Sequence, residues 1–185
     1  SWLDKRRIKN YIINDDLTVD VNGNVQIDDK SITEIPIQFG KVSGDFNISY
    51  NNFTTLKGCP HSVGADFICS SNKLTSLKFS PKIVKIDFYC QQNKLTSLEG
   101  CPEYIGEDFY CHDNKITTLG YSPKILNGGF HYSGNNLPFE ITSIDLDILI
   151  LLKYQEEYGI WNSDGSLNKS RFDIFINEYN SDLLI

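Results

Sequence analysis

The sequence predicts an α/β repeat solenoid with a parallel sheet, because one segment recurs at a fixed spacing with little change. The segment DFICSSNKLTSL at 66–77 returns as DFYCQQNKLTSL at 87–98 and as DFYCHDNKITTL at 108–119. Both intervals are 21 residues long, without an insertion. A fixed period in the range of about 20–50 residues is typical of stacked repeats, which bury their apolar faces against one another.

The same register continues outward in weaker copies, which raises the number of predicted repeats to six. They begin at residues 24, 45, 66, 87, 108 and 129, and the predicted repeat domain spans 24–141. In each repeat the pattern Phe-x-Cys predicts a short strand, with Phe and Cys inside and the residue between them outside. One asparagine per repeat is predicted to turn inward and to satisfy buried backbone groups. These asparagines are Asn51, Asn72, Asn93, Asn114 and Asn135.

The repeat skeleton Phe-x-Cys-x-x-Asn-x-Leu-x-x-Leu resembles the leucine-rich repeat. Its period of 21 residues is similar to that of the short bacterial class, and the segment GCPEYIGEDFYCHDNKITTL at 100–119 resembles repeats encoded by bacteriophages. This resemblance implies a six-repeat solenoid whose parallel sheet lines the concave face. It further implies a binding function, because proteins of this family bind many different partners and share little common chemistry. One bacterial branch of the family carries a catalytic cysteine in a following domain, but this chain has no cysteine beyond Cys111.

The residues before the repeats, 1–23, are predicted to form an N-terminal cap. Apolar residues at helical spacing predict a short helix over 1–10. The alternating segments 17–21 and 25–27 predict a hairpin closed by the dipeptide Asn22-Gly23, because both of these residues accept positive φ. Such a hairpin would cover the first edge of the repeat sheet.

The residues after the repeats, 142–185, are predicted to form a helical C-terminal cap. Apolar residues at helical spacing predict a helix over 144–158 that Gly159 ends. A second helix is predicted to begin after Ser166, whose hydroxyl would cap it.

Composition excludes several classes of partner and site. The net charge of −7 and the pI of about 4.9 argue against nucleic acid, which requires a basic surface. No apolar run is long enough for a membrane span, and the sequence does not predict secretion by the usual signal. The five cysteines lack the close pairs of a zinc site and are predicted to be buried, reduced thiols. Reduced thiols favour a cytoplasmic protein, located in the host cytoplasm if it is viral.

The outward positions of the predicted strands give the candidate binding surface. They align Tyr89, Tyr110 and His131 in one column, with Ile68 before them, and aromatic anchors of this kind are typical of protein interfaces. An alternative interpretation is that exposed tyrosines simply suit strands. The predicted partner-binding residues are Tyr89, Tyr110, His112, His131, Ile68, Gln91 and Asp113.

A column of aspartates borders this surface at positions 45, 66, 87 and 108. Like charges on neighbouring strands repel each other, so this column requires a structural or functional explanation. Hydrogen bonds to loop backbone are one explanation, and an acidic rim for a basic partner is the other. A metal site formed by His112 and His131, with Asp113 nearby, is a less favoured alternative.

These features favour a non-catalytic, phage-encoded binding module without a cofactor, rather than an enzyme. It would bind a host or viral protein on its concave face. A host defence or regulatory factor is one class of partner that fits this interpretation. Two alternatives remain open. The chain could be a structural or assembly component of a virion or of a longer protein, or it could be a secreted bacterial effector.

Overall fold

The computed structural model describes residues 1–27 and 32–181, which form a parallel-sheet β-solenoid of about five turns. Along the repeats, successive strands alternate between two sheets, and the buried side chains fill the space between the sheets. The predicted repeat solenoid is therefore confirmed.

The six-stranded sheet is built from the recurring segment that the sequence singles out. All of its pairings are parallel, and each strand residue lies opposite the residue 21 positions further along. Its strands are β3 (Val25–Gln26), β5 (Phe46–Asn47), β7 (Phe67–Ile68), β9 (Phe88–Tyr89), β11 (Phe109–Tyr110) and β13 (Phe130–His131).

A seven-stranded sheet forms the second side of the solenoid, where the sequence predicts only an extended return path. Its strands are β1 (Tyr11–Ile13), β2 (Thr18–Val21), β4 (Gln38–Val42), β6 (Ser62–Val63), β8 (Ile83–Val84), β10 (Tyr104–Ile105) and β12 (Ile125–Leu126). Most of these strands have two residues, too few for an alternating pattern to be recognised. Pairing with the neighbouring turns makes them strands.

The predicted hairpin through Asn22-Gly23 is wrong. Strand β2 belongs to the seven-stranded sheet and β3 to the six-stranded sheet, so the Asn22-Gly23 dipeptide forms a corner between the two sheets. In this corner the Asn24 side chain accepts a hydrogen bond from the Asp45 N–H at 3.0 Å. Asp45 does the same for the Asp66 N–H one turn later, at 3.2 Å. The left-handed geometry that suits a tight hairpin also suits this corner, with Gly23 at φ 134°.

The hairpin that does exist joins β1 and β2 through residues 14–17, and it is the only antiparallel strand pair among the elements of the described chain. Its turn is closed by the Leu17 N–H, which donates to the Asn14 carbonyl at 2.9 Å. Val19 and Val21 of β2 point into the core.

The core consists of stacked columns of identical or similar side chains. Phe46, Phe67, Phe88 and Phe109 are fully buried, and ring centroids of neighbouring turns lie 5.2–5.7 Å apart. The five cysteines are all free and buried, as predicted. Burial raises the pKa of the Cys101 thiol to about 12, so this sulfur stays protonated and unreactive at neutral pH.

The asparagine column lies inside the bend that follows each strand of the six-stranded sheet, also as predicted. The Asn72 amide nitrogen donates to the carbonyls of Ile48, Cys69 and Ser70 at 2.9–3.2 Å, and its oxygen accepts from the Phe53 N–H at 2.9 Å. Asn93 and Asn114 repeat these four contacts one and two turns later. Each asparagine therefore connects its own turn with the preceding one.

The residue before each of these asparagines has left-handed backbone geometry. Gln92 has φ 57°, and Gly134 occupies the corresponding position two turns later with φ 67°. The other members of this column are Tyr50, Ser71 and Asp113, with φ 54–56°. These residues therefore form the bend itself rather than a third column of the flat sheet surface.

Replacing Gln92 by Gly is expected to stabilise the protein by about 0.5–1 kcal/mol. Left-handed geometry costs a non-glycine residue roughly 1–2 kcal/mol, and the greater freedom of Gly in the unfolded chain offsets part of that gain. Urea unfolding measures the change. The neighbouring Gln91→Gly is the matched control, because Gln91 does not have positive φ, and this change should destabilise the protein. Equal effects of the two substitutions would contradict the assignment.

Helices lie only at the two ends of the described chain, so the described parts of the repeats alternate strand with strand. They are α1 (Trp2–Lys5), α2 (Phe139–Thr142), α3 (Ile148–Tyr158) and α4 (Lys169–Asn180). The predicted helix over 1–10 is shorter than expected, because Arg7 has φ 57° and Asn10 φ 54°. Gly159 ends α3 as predicted, in left-handed geometry.

The predicted cap of the second terminal helix is wrong. Asn168, not Ser166, caps α4, and its side chain accepts a hydrogen bond from the Arg171 N–H. Ser166 belongs to the preceding turn, where its hydroxyl donates to Asp164 at 2.6 Å. In residues 1–27 and 32–181 no helix has the length and apolarity that crossing a membrane requires.

Candidate functional site

Three aromatic rings are stacked on the outward face of the six-stranded sheet. The register of β9, β11 and β13 places Tyr89, Tyr110 and His131 side by side on successive turns. The rings of Tyr89 and Tyr110 are 4.7 Å apart and inclined by 5°, and those of Tyr110 and His131 are 4.3 Å apart and inclined by 4°. We call these three side chains the ring stack. Ile68 on β7 continues the same row next to Tyr89.

The in-register pairing explains why the rings are parallel. Identical positions on neighbouring parallel strands are separated by about 4.8 Å, which is close to the contact distance of two flat rings. Stacking covers most ring faces, so Tyr89 and Tyr110 are half-buried, whereas the sequence predicts exposed rings. The exposed parts are the ring edges and, at the end of the row, the His131 side chain, which is 47% exposed.

The two tyrosine hydroxyls are fixed by carboxylates of the residues that directly precede their strands. Tyr89 donates to Asp87 at 2.7 Å, and Tyr110 donates to Asp108 at 2.9 Å. The His131 Nε2 lies 3.6 Å from the same Asp108 carboxylate. These contacts were not predicted from the sequence, although the recurring tripeptide Asp-Phe-Tyr at 87–89 and 108–110 carries the signal. Residues two apart on a strand share a face, so Asp can reach Tyr.

The aspartate column has the structural explanation that the sequence suggested. The carboxylate of each aspartate accepts a hydrogen bond from the backbone N–H of the following turn. Asp66 accepts from the Asp87 N–H at 3.0 Å, Asp87 from the Asp108 N–H at 2.8 Å, and Asp108 from the Gly129 N–H at 2.6 Å. These contacts brace the corner between the two sheets on every turn.

The electrostatics of the site keep the phenols neutral. Burial and the hydrogen bond to Asp87 raise the pKa of Tyr89, and the hydrogen bond to Asp108 with burial raises that of Tyr110. The Gly129 N–H and the Tyr110 hydroxyl lower the pKa of Asp108. Both tyrosines are therefore hydrogen-bond donors with fixed direction rather than nucleophiles or bases at neutral pH.

The remaining predicted residues lie beside the ring stack rather than in it. Gln91 and His112 follow Tyr89 and Tyr110 by two residues, and His112 Nδ1 lies 2.8 Å from the Asp113 carboxylate. Asp113 belongs to the left-handed bend. The Gln91 Oε1 is buried without a hydrogen-bond partner among the described residues. Within that part of the chain, no group of three or more His, Cys, Asp or Glu side chains could hold a metal ion.

Comparison of the chain with protein-family models, with curated proteins and with solved structures found no match in any of the three. We therefore infer the function from the sequence and the geometry of the surface.

Proposed function

We propose that this protein is a non-catalytic protein-binding module and that the ring stack is the centre of its binding surface. One observation carries the proposal. The rings of Tyr89, Tyr110 and His131 point away from the core, yet they are held in one arrangement by stacking and by the hydrogen bonds to Asp87 and Asp108. Folding does not require aromatic side chains at outward positions.

Preorganisation is the physical advantage of this arrangement for binding. Association costs roughly 0.5–1.5 kcal/mol for each flexible side chain that becomes fixed, and the ring stack is already fixed. Tyrosine is enriched at the centres of interfaces because its ring supplies apolar contact and its edge remains polar. Gln91, His112 and Asp113 supply the polar surroundings that such a centre requires, and Ile68 extends its apolar part.

We also propose a protein family for this chain and a cellular compartment for its partner. The skeleton of the repeats supports a leucine-rich repeat of the short, phage-encoded type, with six repeats, the six-stranded sheet on the concave face and caps at both ends. A host or viral protein in the cytoplasm is the proposed partner, in agreement with the acidic composition and the buried thiols.

The test compares two double variants as baits in an affinity capture from the host lysate, followed by calorimetry with the purified captured protein. Tyr89→Ala with Tyr110→Ala is expected to weaken binding about 30-fold, or roughly 2 kcal/mol, as for an interface anchor. Tyr89→Phe with Tyr110→Phe keeps the stacked rings and should retain most of the affinity.

The control is Lys82→Ala with Lys124→Ala on the opposite side of the solenoid. Both lysines are exposed and contact Glu103 of the strand between them, at 3.3 and 3.8 Å. This variant should bind like the wild type. Loss of binding in the lysine variant but not in the tyrosine variant would move the binding surface away from the ring stack.

A further inference from the structure

The seven-stranded sheet has an open edge at β1. Strand β1 pairs with β2 on one side, and no other strand of the described chain lies on its second side. On the β2 side, the Asn10 carbonyl accepts a hydrogen bond from the Asn22 N–H, and the Asn14 N–H donates to the Thr18 carbonyl. In an antiparallel ladder the pairing direction alternates, so the N–H and C=O groups of Tyr11 and Ile13 point toward the open side.

The short length of three residues is the main protection of this edge against pairing. Natural edge strands carry lysine, proline or a bulge, and β1 has none of them. Its side chains are instead apolar and exposed, with Ile12 at 68% and Ile13 at 59%, and Leu17 in the adjoining turn is 77% exposed. Residues 12 and 13 point to opposite faces, so both faces of the edge are apolar.

We propose that β1 is a self-association edge, where two copies of this chain pair antiparallel through Tyr11–Ile13. In this register Ile12 lies opposite Ile12 of the second copy, and Tyr11 of each copy lies opposite Ile13 of the other. Their open main-chain groups can then form about four hydrogen bonds across a two-fold axis. The two Ile12 side chains contact each other on one face, and the Ile13 side chains are covered on the other.

Charge complementarity favours a second copy over an unrelated strand. Lys9 precedes β1 and Asp15 follows it, so antiparallel pairing brings Lys9 of each copy toward Asp15 of the other. Both side chains are exposed, and neither belongs to an ion pair within residues 1–27 and 32–181. Opposite charges near the ends of the two paired strands attract each other across the contact.

Disulfide trapping tests the register of the pairing. The two opposed Ile12 residues would form a pair that exchanges no main-chain hydrogen bonds. The Cα atoms of such a pair are about 4.5 Å apart, within the range of about 4.4–6.8 Å that a disulfide requires. Ile12→Cys under mild oxidation is therefore expected to give a covalent dimer of twice 21.1 kDa. Leu17→Cys, on the same hairpin, and Ile174→Cys, which is 50% exposed on α4, are the matched controls and should stay monomeric. The native cysteines are buried in all three variants.

Sedimentation velocity over a concentration series tests association without a cross-link. The wild-type chain should dimerise at rising concentration, and Ile13→Lys should stay monomeric while Ile174→Lys behaves like the wild type. Either single charge swap, Lys9→Glu or Asp15→Lys, should weaken the dimer, and the double swap should restore it. A wild-type chain that stays monomeric, a dimer that survives Ile13→Lys, or equal cross-linking of all three cysteine variants would overturn the proposal.

Discussion

Replacing Phe88 by Ala is expected to destabilise the protein by about 3–5 kcal/mol, the usual cost of removing a buried aromatic ring. Phe88 is fully buried in the middle of the phenylalanine column, 5.5 Å from Phe67 and 5.2 Å from Phe109 between ring centroids. Its loss leaves a cavity that the neighbours cannot fill, since the strand register fixes both of their positions. This cost is a large part of the typical stability of a domain.

Urea unfolding of the variant measures the loss, and Phe88→Leu is the comparison. Leucine keeps most of the volume and should cost only about 1 kcal/mol. Because each turn contacts only its neighbours, hydrogen exchange in Phe88→Ala should rise first in the turns next to the cavity. A loss below about 1 kcal/mol in Phe88→Ala would contradict the packing described for this column.

Replacing Asn72 by Ala is expected to destabilise the protein by about 3 kcal/mol, the second largest effect. The substitution removes four hydrogen bonds and leaves the buried Phe53 N–H without its partner. The three carbonyls that Asn72 contacts each keep one other donor, from Asn51, Asn93 or the Tyr50 N–H. An unsatisfied buried N–H costs roughly 1–3 kcal/mol, each lost hydrogen bond to a carbonyl adds roughly 0.5–1.5 kcal/mol, and water that reaches the site reduces the sum. Asn72 is 8% exposed, so this rescue is restricted.

The control for Asn72 is the neighbouring Ser71→Ala. The Ser71 hydroxyl donates to the Gln92 side chain at 2.7 Å at an exposed site, where a lost hydrogen bond costs little. Thermal and urea unfolding should thus separate two adjacent substitutions by at least about 2 kcal/mol. Equal stability of the two variants would show that the asparagine column does not connect the turns.

The candidate site was predictable to a limited depth. The 21-residue period aligns Tyr89, Tyr110 and His131 on successive strands, and the register confirms this alignment. The half-buried rings and their contacts with Asp87 and Asp108 were not predicted. The half-burial comes from ring stacking between neighbouring turns, and the contacts with aspartate depend on side-chain rotamers within one turn, which the repeat pattern does not specify.

The sequence by itself determined the solenoid and the contents of its core. A period of 21 residues stacks identical positions, so the phenylalanines, cysteines and asparagines had to form continuous columns. Tertiary structure alone decided the second sheet, because strands such as Ile83–Val84 exist only through pairing with the neighbouring turns. It also decided that Asn22-Gly23 is a corner and that the hairpin lies at β1 and β2. Local residue preferences fit both alternatives, and only contacts between turns that are distant in sequence distinguish them.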